Sequence, residues 1–398
     1  MNPIFQSTDG LSLLVAAGSG LVLSAGIYPF YIAWLKEKQI EQFIREEGPE
    51  SHAAKAKTPT MGGIGFIIAT VIVSTIAILN SDLLAAPSEL FSYIDPVANR
   101  NNAIAAGLCL LVALACAALG LADDYGKVTS RSNRGLSARF RLISELIFGV
   151  IFASALLLLK LPFNVLHLGV IIGPDNLLPS SIAMPEPIAI AYAFLLIPFL
   201  VAATTNAVNL HDGMDGLAGG TSMVVFATLA ILFYATGNVA LAWVAATCSG
   251  CLIGFLIYNR YPARVFMGDT GSLFLGGLMA ALVAAGGLTI WFVPLSIIYI
   301  VESISVMAQV VYFKLTKPFT PEKPMNPLKL ALYKLTRRLP GEGKRLLRMA
   351  PIHHHFEAIA AEKGKKEWTV VFWFWLIQIG IASLVCLGFT QPLKLYTF

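Results

Sequence analysis

The stretch NAIAAGLCLLVALACAALGLA, Asn102 to Ala122, carries no charged residue and runs directly into Asp123 and Asp124. About 20 apolar residues coiled as a helix cross the hydrocarbon core of a bilayer, so this stretch reads as a membrane span. A carboxylate at mid-bilayer costs roughly 2.5 to 3.5 kcal/mol even on permissive scales, so the two acids mark the end of the span rather than its middle.

Nine further apolar runs are charge-free or nearly so: Leu11 to Leu35, Gly62 to Asn80, Leu142 to Leu159, Ile188 to Val208, Leu217 to Ala235, Asn238 to Tyr258, Leu273 to Leu288, Ile290 to Phe313 and Thr369 to Phe389. The expected class is therefore an all-α integral membrane protein with about ten transmembrane helices. Composition agrees: 57% of the 398 residues are hydrophobic and 13% charged, against roughly a quarter charged in soluble domains. The first run is too long for a signal-peptide core and reads as a retained helix.

Lys and Arg set the orientation. Loop Lys36 to Thr58 holds five, Asp123 to Arg141 five, Asn259 to Gly271 two and Lys314 to Trp368 thirteen, which together make 25 of the chain's 28. By the positive-inside rule these loops, with the short connection Asn209 to Gly216, face the cytoplasm, and both termini lie outside. The net charge of +5 then serves topology and anionic headgroups, not nucleic acid.

One membrane domain, residues 1–398, is expected, because no loop is long enough to bury a core of its own. Within the basic loop 314–368, Asn326 to Leu339 could lie on the membrane as an amphipathic helix. The outer connection Lys160 to Pro187, with five prolines, suggests an ordered hairpin or irregular loop. Cys109, Cys116, Cys248, Cys251 and Cys386 all lie in apolar runs and read as small packing residues.

Chemistry gathers on the cytoplasmic side. Asp123 and Asp124 repel one another, which favours a bound cation or a shared proton. Asp212 and Asp215 in NLHDGMDGLAGG, and Asp269 in VFMGDTGS, fall in cytoplasmic loops beside glycines that admit a ligand to the backbone. Solvated helix ends would explain any one of these acids; five in glycine-rich turns on one membrane side argue for a site. Their hard oxygen donors suit Mg²⁺ or Mn²⁺.

His353, His354 and His355 in MAPIHHHFE lie on the same side. Successive helical side chains diverge by about 100°, so phosphate hydrogen bonding suits the three better than one shared metal. Lys55 to Gly63, KAKTPTMGG, is either a plain helix start or an anion site at the next helix N-terminus.

In order along the chain stand TPTMGG (Thr58 to Gly63), LADDYGK (Leu121 to Lys127), GLSAR (Gly135 to Arg139), NAVNL-x-DG-x-DGLA (Asn206 to Ala218), NRYPARVFMGDTGS (Asn259 to Ser272) and MAPIHHHFE (Met349 to Glu357). Together they resemble the phospho-N-acetylmuramoyl-pentapeptide transferases, within the wider family of polyprenyl-phosphate sugar-1-phosphate transferases. The resemblance implies a multi-pass enzyme of the bacterial cytoplasmic (inner) membrane, working in peptidoglycan synthesis. It would move phospho-MurNAc-pentapeptide from UDP-MurNAc-pentapeptide to undecaprenyl phosphate, giving lipid I and UMP.

The resemblance also implies roles. Mg²⁺, or Mn²⁺ in its place, would be held by Asp269 with Asp123 or Asp124 beside it. Asp123, Asp124, Asp269 and His354 would be the catalytic group. Asn209, Asp212, Asp215 and Asn259 would bind uridine with Phe266 stacked on the base, although Phe266 by itself reads equally as a core aromatic. Lys55, Thr60, Lys127, His353 and His355 would face phosphates and sugar. Membrane lipid surrounds the enzyme, and a homodimer is implied. Direct attack by the acceptor phosphate and a covalent aspartyl-phosphate route both remain open, with direct attack favoured because a metal-bound Asp is a poor nucleophile.

This chain departs from the pattern in places: His211 stands where Thr is usual, Lys57 where Gly is common, Arg141 where Lys often follows GLSAR, and Trp373 in place of an Arg. An extra stretch runs from about Lys317 to Lys344. Glu302, inside a predicted helix, is an expensive placement that suggests a structural or lipid-groove partner. Two rivals remain: a sister transferase taking UDP-GlcNAc, and a transporter, which would place its acids near the midplane.

Overall fold

The computed structural model describes residues 9–40, 58–80, 96–130, 135–172, 177–319, 321, 325–337 and 339–390. Its helices are α1 (Asp9–Glu37), α2 (Gly63–Leu79), α3 (Pro96–Thr129), α4 (Ala138–Leu158), α5 (Glu186–Ala191), α6 (Ile197–His211), α7 (Leu217–Ala235), α8 (Val239–Asn259), α9 (Gly268–Ala285), α10 (Thr289–Leu295), α11 (Ile297–Leu315), α12 (Pro327–Thr336), α13 (Ile352–Glu362) and α14 (Trp368–Phe389). Strands β1 (Val165–Ile172) and β2 (Leu177–Ala183) form an antiparallel hairpin. Among the described residues nine spans are long and apolar enough to cross a membrane, and α2 is a shorter apolar helix of 17 residues. The all-α membrane class and the approximate count of ten stand.

Helices α8 and α9 form the centre. α1 and α7 pack on α8, α3 and α6 on α9, and α2 fits beside both. Lipid tails are as apolar as leucine, so such helices associate through close packing of small residues. Gly20 and Gly250 sit where α1 and α8 approach backbone to backbone, Gly276 faces Thr205 of α6, and Gly277 faces Cys116 of α3. The cysteines serve this seam as expected: Cys109, Cys116, Cys248 and Cys251 are fully buried, and Cys251 Sγ lies beside Gly20. On the periphery Phe30, Leu14, Leu195 and Leu158 are at least 70% exposed, as a lipid-facing surface requires.

Several boundaries differ from the sequence reading. The run Ile290 to Phe313 is two helices broken at Ser296, because Pro294 has no N–H to give and its ring crowds the preceding turn. The run Ile188 to Val208 extends from α5 to α6 through a π-turn, Tyr192–Leu196, in which Ile197 N donates to Tyr192 O just before Pro198. α3 continues about two turns beyond Ala122, so Asp123, Asp124 and Lys127 all stand on one helix.

The outer connection is the expected hairpin, bulged between His167 and Gly169. It docks on the turn after α9: His167 N donates to Gly287 O at 2.9 Å and Trp291 Nε1 to His167 O at 3.1 Å. The amphipathic segment of the basic loop is α12, shorter than predicted. Its Lys334 Nζ donates to Leu315 O and Lys317 O, which ties it to the end of α11.

Candidate active site

The site forms where α3, α6 and α9 present polar residues at one end of the bundle. Asp269 lies in the first turn of α9, a correction to its predicted loop position, and Gly268 just before it takes φ of +74°, which glycine adopts without strain. Asp124 closes that helix start from α3. Its Oδ1 accepts from Asp269 N at 3.1 Å, and its Oδ2 accepts from Thr270 N at 2.9 Å and Thr270 Oγ1 at 2.7 Å. These are N-terminal amides with no partner inside the helix, so Asp124 caps α9 from a neighbouring helix.

Asp123, one residue earlier, faces the other way. Lys127 Nζ lies 2.5 Å from Asp123 Oδ2 and 2.6 Å from Asp269 Oδ2, so a single ammonium bridges α3 and α9. Arg141 of α4 approaches from the side, with Nη1 3.4 Å from Asp269 Oδ2 and Nη2 3.2 Å from Asn209 Oδ1. Asn209 in turn donates Nδ2 to Asp269 Oδ1 at 2.7 Å and to Ser272 Oγ at 2.9 Å. Leu136 N donates to Asp123 Oδ1, so the GLSAR turn is pinned to the site.

Asp212 follows α6 and carries the cost of this crowding. Burial first, then the carboxylates of Asp269, Asp124 and Asp215, push its carboxyl up to about 8. Asp123, Asp124, Asp212 and Asp269 thus crowd a region supplied with the cations Lys127 and Arg141. The donor set fits Mg²⁺: two hard carboxylates converge on one point that the Lys127 ammonium already favours.

A second tier of residues shapes the rim. Asn259 is buried and stitches two loops, donating Nδ2 to Val265 O at 2.9 Å and accepting from Gly216 N at 3.1 Å. Asp215 Oδ2 accepts from Ala263 N at 3.0 Å. Thr60 is buried with its Oγ1 close to Gly268. TPTMGG is held from both sides: Phe266 N donates to Pro59 O, Gly62 N to Phe266 O, and Tyr28 and Tyr31 hydroxyls to Gly62 O and Met61 O.

Comparison with known proteins now decides the family. The phospho-N-acetylmuramoyl-pentapeptide transferase of Bacillus pumilus (strain SAFR-032) is 34% identical over 365 residues, 92% of this chain and 94% of the relative. Those of Staphylococcus carnosus (strain TM300) and Bacillus subtilis (strain 168) are also 34% identical, over 92% of this chain and 96% and 94% of the relatives. The chain belongs to this transferase family. The model for glycosyl transferase family 4 matches residues 106–287, the segment from α3 to the end of α9 that contains the carboxylate cluster. The protein is thus a multi-pass bacterial membrane enzyme of phosphosugar transfer.

As a member of the transferase family the chain keeps most expected site residues together, but in two settings. Asp123, Lys127, Asn209 and Asp269 meet directly; Asp124 is spent on the α9 amides, and Asn259 and Asp215 on loop backbone. Phe266 is half-buried beside the TPTMGG turn. Lys55 lies outside the described residues. Of the three histidines, His354 Nδ1 lies 2.7 Å from Glu357 Oε2, and His355 Nδ1 accepts from Arg348 N at 3.2 Å. His353 is fully buried and points to Glu302, with Nδ1 3.1 Å from Oε2. Burial draws its imidazole down to about 4.

Two participants went unassigned in the sequence. In the sequence Arg141 stands only as a departure from the family pattern, although a basic residue four positions after Ser137 in GLSAR is itself a signal. Glu302 had its cost noticed without its partners, which come from α6 and α13, segments that no sequence spacing brings together.

Proposed function

We propose that this enzyme transfers phospho-MurNAc-pentapeptide from its UDP carrier to undecaprenyl phosphate, giving lipid I and UMP. The convergence of Asp123, Lys127, Arg141, Asn209 and Asp269 from four helices carries this reading. An oxygen of the acceptor phosphate attacks the phosphorus that bears the sugar, the bridging P–O bond breaks, and its electron pair leaves with UMP. Lys127 and Arg141 neutralise charge on the transferring group, where preorganised donors act most strongly. Asp269 and Asp123 would hold Mg²⁺, which when bound supplies Lewis-acid stabilisation of the diphosphate oxygens. Asp123 orients or deprotonates the acceptor, whose phosphate has a second pKa near ~6.

Substrate contacts fall to the rim. Phe266 and the loop carrying Asp212 and Asp215 take the uridine, while Thr60, His354 and His355 face phosphate and sugar. An apolar groove of about 590 Å³ between α11, α13 and α14, lined by Ile298, Val301, Phe356, Val370 and Phe374, suits a polyprenyl chain. It opens beside α13, the helix that carries the histidines. Homodimerisation belongs to this reading through the resemblance alone.

The test is donor choice. Detergent-purified enzyme with undecaprenyl phosphate should pass label from UDP-MurNAc-pentapeptide into the lipid fraction and release UMP, and unlabelled UDP-GlcNAc in large excess should not compete. Transfer from UDP-GlcNAc instead would assign the sister activity.

A further inference from the structure

His211, Glu302 and His353 meet at the junction of α6, α11 and α13, each with no side-chain exposure. Each offers one ligand atom, and the three atoms lie within 4.8 Å of one another. We infer that this triad is a second cation site, separate from the carboxylate cluster, that takes a zinc ion through two imidazole nitrogens and one carboxylate oxygen.

The His211 contact with Glu302 has hydrogen-bond geometry and the His353 contact does not, so the triad is not a continuous hydrogen-bonded relay. His211 Nδ1 lies 3.2 Å from Glu302 Oε1, and His353 Nδ1 lies 3.1 Å from Glu302 Oε2. Ligands on a tetrahedral zinc with bonds near 2.0–2.2 Å stand about 3.3 Å apart, so whichever Glu302 oxygen binds already stands one tetrahedral edge from its neighbouring imidazole nitrogen. The contact of His353 with Glu302 does not meet hydrogen-bond geometry despite the distance, and both Glu302 Oε2 and His353 Nδ1 are buried without a hydrogen-bond partner. Two lone pairs that approach without pointing at each other are what a common third centre produces.

Chemistry points the same way. A buried carboxylate needs compensating charge, and the side chains placed against it here are two imidazoles. Imidazole nitrogen with carboxylate oxygen suits zinc, whereas the all-oxygen Asp123 and Asp269 set suits magnesium. Three protein ligands leave one tetrahedral position open. Zinc here would tie the end of α6 and the middle of α11 to α13, and so fix the helix from which His354 and His355 project. The histidine run that seemed unable to share one metal needs to supply only one ligand; the other two come from distant helices.

The experiment uses full-length enzyme purified in detergent through a histidine-free tag and dialysed against metal-free buffer. Elemental analysis is expected to find about one zinc per chain in the wild type and in Asp269→Asn, and less than a tenth of that in His211→Thr. After stripping and reloading with Co²⁺, the wild type should show the intense visible bands of tetrahedral cobalt, and X-ray absorption should count two imidazole nitrogens on the metal. Size exclusion and circular dichroism check that His211→Thr is folded; if it is not, the cobalt spectrum and nitrogen count of the wild type decide alone. Failure of the stripped wild type to take up either metal, or equal zinc in wild type and folded His211→Thr, would overturn the inference and leave a simple His–Glu–His contact.

Discussion

Lys127 is the residue on which the site turns, because its ammonium is shared by Asp123 four positions earlier on the same helix and Asp269 far along the chain. The i,i+4 spacing of Asp123 and Lys127 was visible in LADDYGK. The third partner was not, since nothing local to Asp269 says which helix it faces. Asp212 offers a test at this scale. With its carboxyl held at about 8, it keeps a proton in the folded protein that the unfolded chain releases near ~4. Stability from this neutral form is whole below the unfolded value and is lost as pH rises through 8. In chelator-treated buffer, the melting temperature of Asp212→Asn should therefore gain on that of the wild type by several degrees between pH 5 and pH 8.5. A gap that does not change with pH would show that Asp212 titrates normally.

At the scale of elements, α3 and α9 meet through Gly120, where an added methyl group would strike the backbone carbonyl of Asp269. Gly120→Ala should destabilise by about 1–3 kcal/mol, as overpacked interiors do. It should also lower transfer about 10²-fold by displacing Asp269, since misplacement near 1 Å costs that much. Gly107→Ala, on the same helix with open space around it, should change neither. Melting curves and transfer rates of the two variants check this, and equal behaviour would separate the α3–α9 seam from the site. The spans themselves were legible in apolar runs, because length and absence of charge suffice for a helix in lipid. The break at Ser296 had a readable cause in Pro294, yet a proline also tolerates mere kinking, and the run looked continuous. The reach of α3 past Ala122 was hidden because its last two turns are polar, and polarity is the usual mark of a loop.

Over the whole molecule, charge asymmetry and the acid cluster make one joint prediction: the loops that hold 25 of the 28 basic residues should share the cytoplasmic face with the carboxylate cluster. Alkaline phosphatase fused after residue 398 should accordingly be active, and green fluorescent protein fused there dark; the reverse would invert the topology and put the site on the wrong side of a cytoplasmic nucleotide donor. The six motifs fixed the reaction type in the sequence because they are local strings. The buried triad of His211, Glu302 and His353 was beyond reach because its members are local to nothing but each other in space. The most direct test of the account is Mg²⁺-dependent release of UMP by wild type and Asp269→Asn, measured with UDP-MurNAc-pentapeptide and undecaprenyl phosphate in detergent. The wild type should release one UMP per lipid product only when Mg²⁺ is supplied, and the folded variant should fall by at least about 10³-fold. Asp269→Asn within tenfold of wild type, or full wild-type transfer in chelator, would contradict it.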